Sequence, residues 1–292
     1  MPSRGLWAKL FWRLLNVLPN LAKNNANKTK HEAVMTEKAK ADVKESLTVI
    51  IPVYNEEKTV AGILTRVLER PETAEIIVVD DASKDQTRKQ IEPFLENSKI
   101  KFLYQEKNQG KGAAVRRAIG EATSSYVIIQ DADFEYTPED YPSVLEPLAL
   151  DKADVVYGSR FMGTPGMARY FRHEMGNKFL TFISNLFTDI HLSDMETCYK
   201  AFKREVVQNL NLESNRFGIE VEITAKIAKS RTLRIYETPI TYNPRRYNEG
   251  KKITWKDGIS ALYHIVKYNV FADKSKFYKK PWNEILKQDT ES

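Results

Sequence analysis

The chain predicts an α/β fold with a mainly parallel sheet covered by helices on both faces, and three observations carry that prediction. Short β-branched runs alternate with segments of helical spacing from Leu47 onward. The runs are apolar throughout, which marks strands buried on both faces. Carboxylate-bearing turns follow three of them, at the strand ends where open parallel sheets bind ligands.

Taken in order, residues 47–53 (Leu-Thr-Val-Ile-Ile-Pro-Val) read as a strand, 56–69 as a helix and 75–80 as a second apolar strand, a β–α–β opening. Residues 87–95 are then helical, 101–104 extended, 112–122 helical and 126–130 extended. Further on, 177–187 and 253–271 have helical spacing.

The 292 residues carry 45 Lys and Arg against 39 Asp and Glu, and 42% are hydrophobic, which excludes disordered, collagen-like and disulfide-scaffold classes. Cys198 stands alone, so no internal disulfide forms and a reducing, cytoplasmic setting fits. No apolar run approaches the ~18 residues that mark a spanning helix. Charge is uneven: residues 1–45 carry nine basic and four acidic side chains and 243–280 ten and three, while 46–242 carry 25 and 29. Basic ends on an acidic middle could serve nucleic acid or an anionic membrane surface.

Residues 5–18 place Leu6, Leu10, Leu14 and Leu18 with Trp7 and Phe11 on one half of a wheel, with Lys9 and Arg13 opposite. That is the pattern of a helix lying in a membrane interface, with a helix packed on the body or a targeting segment as the rivals. The expected organisation is an amphipathic helix over 1–21, a polar linker over 22–46, a catalytic domain over 47–250, and a second basic amphipathic helix with a polar tail over 251–292.

Chemistry is expected in the three turns. Pro52-Val-Tyr-Asn-Glu-Glu57 follows the first strand, where Tyr54, Asn55 and Glu56 can line a pocket or Asn55 can cap a helix. Val79-Asp-Asp-Ala-Ser-Lys-Asp85 follows the second, with carboxylates able to accept from a ring N–H or from ribose hydroxyls, or to serve as caps. Asp131-Ala-Asp133 closes the fourth strand. Two carboxylates one residue apart repel unless a cation lies between them, and Mg2+ or Mn2+ is commonly held by such a pair together with substrate phosphates.

Ile51-Pro-Val-Tyr-Asn-Glu56, Val79-Asp-Asp-Ala-Ser83, Asn108-Gln-Gly-Lys-Gly112 and Asp131-Ala-Asp133, in this order and spacing, resemble the GT-A nucleotide-sugar transferases of glycosyltransferase family 2. Tyr157-Gly-Ser-Arg160, Ser193-Asp-Met-Glu-Thr-Cys-Tyr-Lys200 and the stretch from Tyr236 through Arg245 to Lys252 bring the likeness closer to the polyprenyl-phosphate (dolichyl-phosphate-type) sugar transferases. The resemblance covers residues 47 to about 272.

It implies an inverting transfer of a sugar from a UDP- or GDP-sugar to a polyprenyl phosphate, by an enzyme peripheral on the cytoplasmic face of the membrane. Pro52, Tyr54, Glu56 and Asp81, with Asp80 nearby, would contact base and ribose. Asp131, Ala132 and Asp133 would hold metal and diphosphate. Glu135, where relatives often carry Gln, would be a third metal ligand. Lys111 is either a phosphate contact at a helix N-terminus or, the weightier reading, a solvated residue in a glycine-permitted turn. Arg160, Arg169 or Arg172, Arg245 and Lys251 fall where the family gathers cations around the lipid phosphate, and Arg suits that task through its bidentate fork. Relatives carry longer glycine-rich segments than Met162-Gly-Thr-Pro-Gly-Met-Ala168. Asp194 would lie beside the sugar and complete a catalytic set with Asp133 and Arg160. With a phosphate acceptor it would orient sugar or metal; with a hydroxyl acceptor on a glycolipid or polysaccharide, the alternative, it would be the general base.

Other classes fit less well. No basic and aromatic motif of a nucleic-acid module appears, so no nucleic-acid partner is expected. The four histidines lack metal-ligand spacing, and no glycine-rich dinucleotide fingerprint follows the first strand.

Overall fold

The computed structural model describes residues 43–163, 170–245 and 255–286. Its sheet is built on Leu47–Val53 (β1), whose Leu47, Val49, Ile50, Ile51 and Val53 are all buried, as a strand with no polar face requires. Val60–Leu68 (α1) leads to Thr73–Asp80 (β2), Thr87–Ile91 (α2) to Ile100–Tyr104 (β3), and Lys111–Glu121 (α3) to Tyr126–Ile129 (β4). β1 pairs in parallel with β2 and β4, and β2 with β3. Helix α1 starts later than its spacing predicts because residues 55–57 are tied to the turn after β2: Asn55 N donates to Ser83 Oγ (2.9 Å) and Glu56 N to Thr87 Oγ1 (2.9 Å).

The second half adds Tyr141–Ala149 (α4), Val155–Ser159 (β5), Phe171–Thr188 (α5), Lys200–Lys203 (β6), Arg204–Asn209 (α6), Gly218–Ser230 (α7), Ile235–Pro239 (β7), Trp255–Val266 (α8) and Trp282–Ile285 (α9). The strand order is β3-β2-β1-β4-β6-β5-β7. β6 runs antiparallel to both neighbours, β4 and β5, whereas β5 and β7 are parallel. This reversal matters for the site. A strand entering the sheet from the opposite direction brings the loop that precedes it, 193–199, to the carboxyl end of β4. The segments after β1, β2, β4, β5 and β7 meet there too.

The described residues shift two expected boundaries. Val43, placed by sequence in the linker, is buried against the core. Residues 279–285, expected in a polar tail, pack on the body: Trp282 is buried, Lys279 N donates to Asn209 O (2.9 Å) and Lys280 N to Asn209 Oδ1 (2.8 Å). The expected interfacial helix over 1–21 and the linker up to residue 42 lie outside the described residues. Among the described residues no helix is long and apolar enough to cross a membrane.

Two glycines set how α3 begins. Gly110 has φ +99°, open to glycine at little cost, and Cβ atoms at Gly110 and Gly112 would run into the backbone of residues 214–216. Gly112→Ala should therefore cost about 1–3 kcal/mol through overpacking against the Ser214 carbonyl. A thermal melt checks this; an unchanged midpoint would show that the loop yields freely.

Candidate active site

A cleft of about 400 Å3 opens at the carboxyl ends of the strands. Pro52, Tyr54 and Glu56 line it after β1, Asp81 after β2, and Asp131, Ala132 and Asp133 after β4. Lys111 enters from α3, Arg160 follows β5, Glu196 and Cys198 precede β6, and Arg245 follows β7.

The first two turns are laced to each other. Asn55 (φ 53°) and Ala82 (φ 60°) adopt left-handed backbone, Lys84 N donates to Asn55 Oδ1 (2.8 Å), and Gln86 N donates to Glu57 Oε2 (2.9 Å). Asn55 therefore stitches two turns and does not cap α1, whose N-cap is Thr59. The paired aspartates after β2 divide their work. Asp80 is fully buried, accepts from Ser83 N (3.0 Å) and Arg88 Nε (2.8 Å), and does not line the cleft, so its expected place beside the nucleotide is corrected to a brace for the turn. Asp81 lines the cleft and accepts from Gln105 Nε2 (2.9 Å), Gln109 N (2.7 Å) and Gly110 N (2.7 Å). Of the roughly four acceptor positions of a carboxylate, one remains open on Oδ2.

The Asp131-Ala-Asp133 pair is balanced by cations from distant elements. Lys111 Nζ lies 2.8 Å from Asp131 Oδ1 and 3.2 Å from Glu220 Oε1. Glu220 Oε2 accepts from the buried Lys200 Nζ at 2.5 Å. Lys111 is thus the first residue of a helix with its ammonium inside the cleft, and the solvated-turn reading is overturned. Arg245 Nη2 contacts Asp133 Oδ2 and reaches Glu56 Oε1 at 3.1 Å, so it stands with the carboxylates of β1 and β4. Burial works against charge on Asp131, but the Lys111 ammonium outweighs it and holds that carboxyl low. Burial, reinforced by the Asp131 charge, pushes Asp133 up to about 7. Two hard oxygen donors, one resisting its own charge, fit a divalent cation that also binds diphosphate. Glu135 lines the cleft beside them, but its oxygens are engaged by the segment after β7. Its Oε2 accepts from Tyr242 OH (3.0 Å) and its Oε1 from Arg245 N (2.9 Å), and among the described residues no three His, Cys, Asp or Glu side chains are grouped for a metal. The expected third ligand is a tie for the segment after β7.

Asp194 departs furthest from expectation. It is fully buried and outside the cleft lining: Oδ2 accepts from Arg160 Nε (2.7 Å) and N (3.0 Å), and Oδ1 from Arg160 Nη2 (2.7 Å). Both oxygens are committed to a bidentate pair, so Asp194 is corrected from candidate base to a group that aims Arg160. Glu237 extends the brace, accepting from Ser193 N (2.9 Å) and Asp194 N (3.2 Å). The Arg160 guanidinium also lies 5.2 Å from the Tyr242 ring centroid. Of the other expected acceptor cations, Arg172 is exposed on α5 outside the lining, while Arg169 and Lys251 lie outside the described residues.

Glu196, Glu220 and Lys200 are site residues that the sequence does not announce. Glu196 sits inside the motif Ser193-Asp-Met-Glu-Thr-Cys-Tyr-Lys200, but which of its eight residues faces the cleft depends on the reversed β6. Glu220 and Lys200 pair across twenty residues, with no local periodicity to expose them.

The glycosyl transferase family 2 model matches residues 48–210. The chain is 31% identical over 205 residues to glycosyltransferase AglJ of Haloferax volcanii, covering 69% of this chain and 64% of AglJ. It is 30% identical over 225 residues to the low-salt glycan biosynthesis hexosyltransferase Agl6 of the same organism, covering 75% of this chain and 53% of Agl6. It is 27% identical over 226 residues to a dolichol-phosphate mannosyltransferase of Pyrococcus furiosus, covering 75% and 62%. The match thus spans between about half and two thirds of these relatives' lengths. Among solved structures, glucosyl-3-phosphoglycerate synthase from Mycobacterium tuberculosis in complex with Mn2+, UDP and phosphoglyceric acid superposes with a TM-score of 0.64 at 18% identity over 82% of each chain, which identifies the GT-A fold.

Asp194→Ala should remove the bidentate carboxylate partner of the buried Arg160 charge, lowering stability by about 3–5 kcal/mol. Denaturant unfolding checks this, and a wild-type midpoint would show that Arg160 finds another partner.

Proposed function

The chain belongs to glycosyl transferase family 2, and from that premise we propose that it is an inverting, metal-dependent glycosyltransferase that moves a sugar from a nucleotide-sugar to a polyprenyl phosphate at a membrane surface. One arrangement carries the reading: a single cleft has a carboxylate pair suited to a metal-bound diphosphate and a guanidinium, Arg160, fixed by a buried partner. The dolichol-phosphate mannosyltransferase among the relatives supports the acceptor class.

The reaction is an in-line displacement. An acceptor phosphate oxygen attacks the anomeric carbon from one face, forming the new C–O bond. The bond to the diphosphate oxygen breaks on the other, and the nucleoside diphosphate leaves with the electron pair. A divalent cation on Asp131 and Asp133, when bound, neutralises charge on the diphosphate. Lys111, at the first residue of α3, adds a fixed positive group beside Asp131. Arg160 orients the acceptor phosphate, its geometry set beforehand by Asp194. A phosphate acceptor is already an anion and needs no base.

The membrane reading is supported by α5 and α8, which lie against each other. α5 borders the cleft with His173, Glu174 and Asn177 and exposes Phe171, Met175, Phe179, Phe182 and Leu186 at helical spacing. α8 buries Ala261 and Ile265 against the body and exposes Ile259, Tyr263 and Val266, continued by Val270 and Phe271. α8 thus turns one face to the body and the other outward. An apolar double stripe beside the cleft suits a surface from which a long-chain phosphate is drawn.

The test is nucleoside diphosphate release from a panel of UDP- and GDP-sugars with Mn2+ or Mg2+, with and without polyprenyl phosphate in detergent. Release that needs both metal and lipid phosphate is expected; metal-dependent release indifferent to the lipid would move the acceptor to a hydroxyl. Asp131→Ala and Asp133→Ala should each lower turnover at least about 100-fold, and normal turnover in either would sink the metal assignment. Phe182→Glu combined with Tyr263→Glu should weaken co-sedimentation with anionic phospholipid vesicles about tenfold or more, because each charge opposes apolar insertion. Unaltered co-sedimentation would remove this face from the membrane contact.

A further inference from the structure

We propose that Glu196 reads the transferred sugar, its side chain hydrogen-bonding a hydroxyl of the hexose at a carbon other than the reacting one. The inference rests on the transferase reading and adds to it a residue that selects the donor.

Three observations place the side chain. First, Glu196 lines the cleft from the loop that the antiparallel β6 carries to the end of β4. Second, its chain neighbours span the two poles of the reaction. Asp194, two residues before, holds Arg160, while Cys198, two residues after, accepts from Lys111 Nζ at 3.5 Å beside Asp131. The anomeric carbon must lie between the departing diphosphate and the entering phosphate, so the sugar ring occupies the stretch that Glu196 borders. Third, among the described residues Glu196 Oε1 has no hydrogen-bond partner although it is closed off from solvent.

The closed-off Oε1 is beyond the reach of any ligand and its lack of a donor disfavours charge on the group, so it is the accessible part of the half-buried carboxyl, through which Glu196 lines the cleft, that meets the hydroxyl. The nearest cations do not answer the need. Lys200 is committed to Glu220 and to the Thr197 carbonyl, and Arg160 to Asp194. Burial pushes the Glu196 carboxyl up to about 7, partly offset by Lys200, so at neutral pH the group can both accept from and donate to a hydroxyl. A site built to pair a hydroxyl penalises a donor that lacks it, because its own polar group is then left unpaired.

The experiment uses the full chain, the nucleotide-sugar that the native enzyme turns over best, and the singly deoxygenated analogues of that donor. Glu196→Leu should lower kcat/KM for the parent donor by about 10–150-fold, the range of a hydrogen bond to a charged group. For one deoxy analogue the loss should be less than about threefold, since that donor never made the bond. Calorimetric affinity for the free nucleoside diphosphate with Mn2+ should stay within about twofold, a readout that general damage to the cleft would move. Should Glu196→Leu fail to bind nucleotide, Glu196→Gln decides on the same donors. A narrowed gap between parent and deoxy donor supports the proposal, and an unchanged gap overturns it. Equal losses with every donor would also overturn it, because Glu196 would then act on something common to all of them. Native enzyme that transfers no sugar at all would bring down the transferase reading, and this proposal with it; native transfer with Glu196 variants indifferent to the donor sinks this proposal alone.

Discussion

Buried like charges must be balanced, and at the carboxyl end of this sheet that requirement governs most of the site. Asp131, Asp133, Glu56 and Glu220 all converge there, and each has a cation brought from elsewhere in the chain: Lys111 for Asp131 and Glu220, Arg245 for Asp133 and Glu56, Lys200 for the far side of Glu220. Lys111 serves only because α3 begins at that residue, and α3 begins there because Gly110 and Gly112 let residues 214–216 press onto its first turn. A local backbone allowance thus has an electrostatic consequence. Removing Arg245 would leave Asp133 and Glu56 without their shared cation in a medium that screens them poorly.

The second organising feature is the reversed strand. Had β6 entered in parallel, residues 193–199 would lie at the opposite edge of the sheet, and neither the Asp194–Arg160 pair nor Glu196 would reach the cleft. The reversal instead gathers contributions from β1, β2, β4, β5 and β7 and from the segment ahead of β6 around one volume. Arg160 gains most from this. Its guanidinium is held through both nitrogens that face Asp194, its partner is braced by Glu237, and the Tyr242 ring lies alongside. A long flexible side chain becomes a fixed cation, which is what preorganised electrostatics requires.

How far the sequence was legible follows from the range of each interaction. The strands of the first half were legible because a fully buried strand is marked by its own residues, and the Asp131-Ala-Asp133 pair because its meaning is local. Boundaries failed where a side chain from another turn intervened, as at α1, whose start is delayed by Ser83 and Thr87. Roles failed where a partner lay far along the chain. The motif places Asp194 beside the sugar, to orient sugar or metal or, with a hydroxyl acceptor, to act as base, whereas Arg160, thirty-four residues earlier, takes both its oxygens. Glu135 looked like a ligand until Tyr242 and Arg245 engaged it. Lys111 looked solvated because Glu220 stands more than a hundred residues away. None of these pairings leaves a trace in spacing.

The corrected roles share one direction. Asp194, the group expected to remove a proton from a hydroxyl acceptor, is spent on fixing a cation. Glu135, expected to add negative charge at the metal, is spent on the segment that carries Arg245. Lys111, expected in solvent, is drawn inside. In the proposed reaction these groups serve the holding of anions, with no general base required of them. A hydroxyl acceptor would need a base, and Asp194, with both oxygens on Arg160, does not supply one. A phosphate acceptor needs no base, and its two oxygens match the planar fork that Asp194 holds in place. The cost of burying Arg160 is already met by Asp194 before any acceptor arrives, so the acceptor's own charge is left to act on orientation and approach.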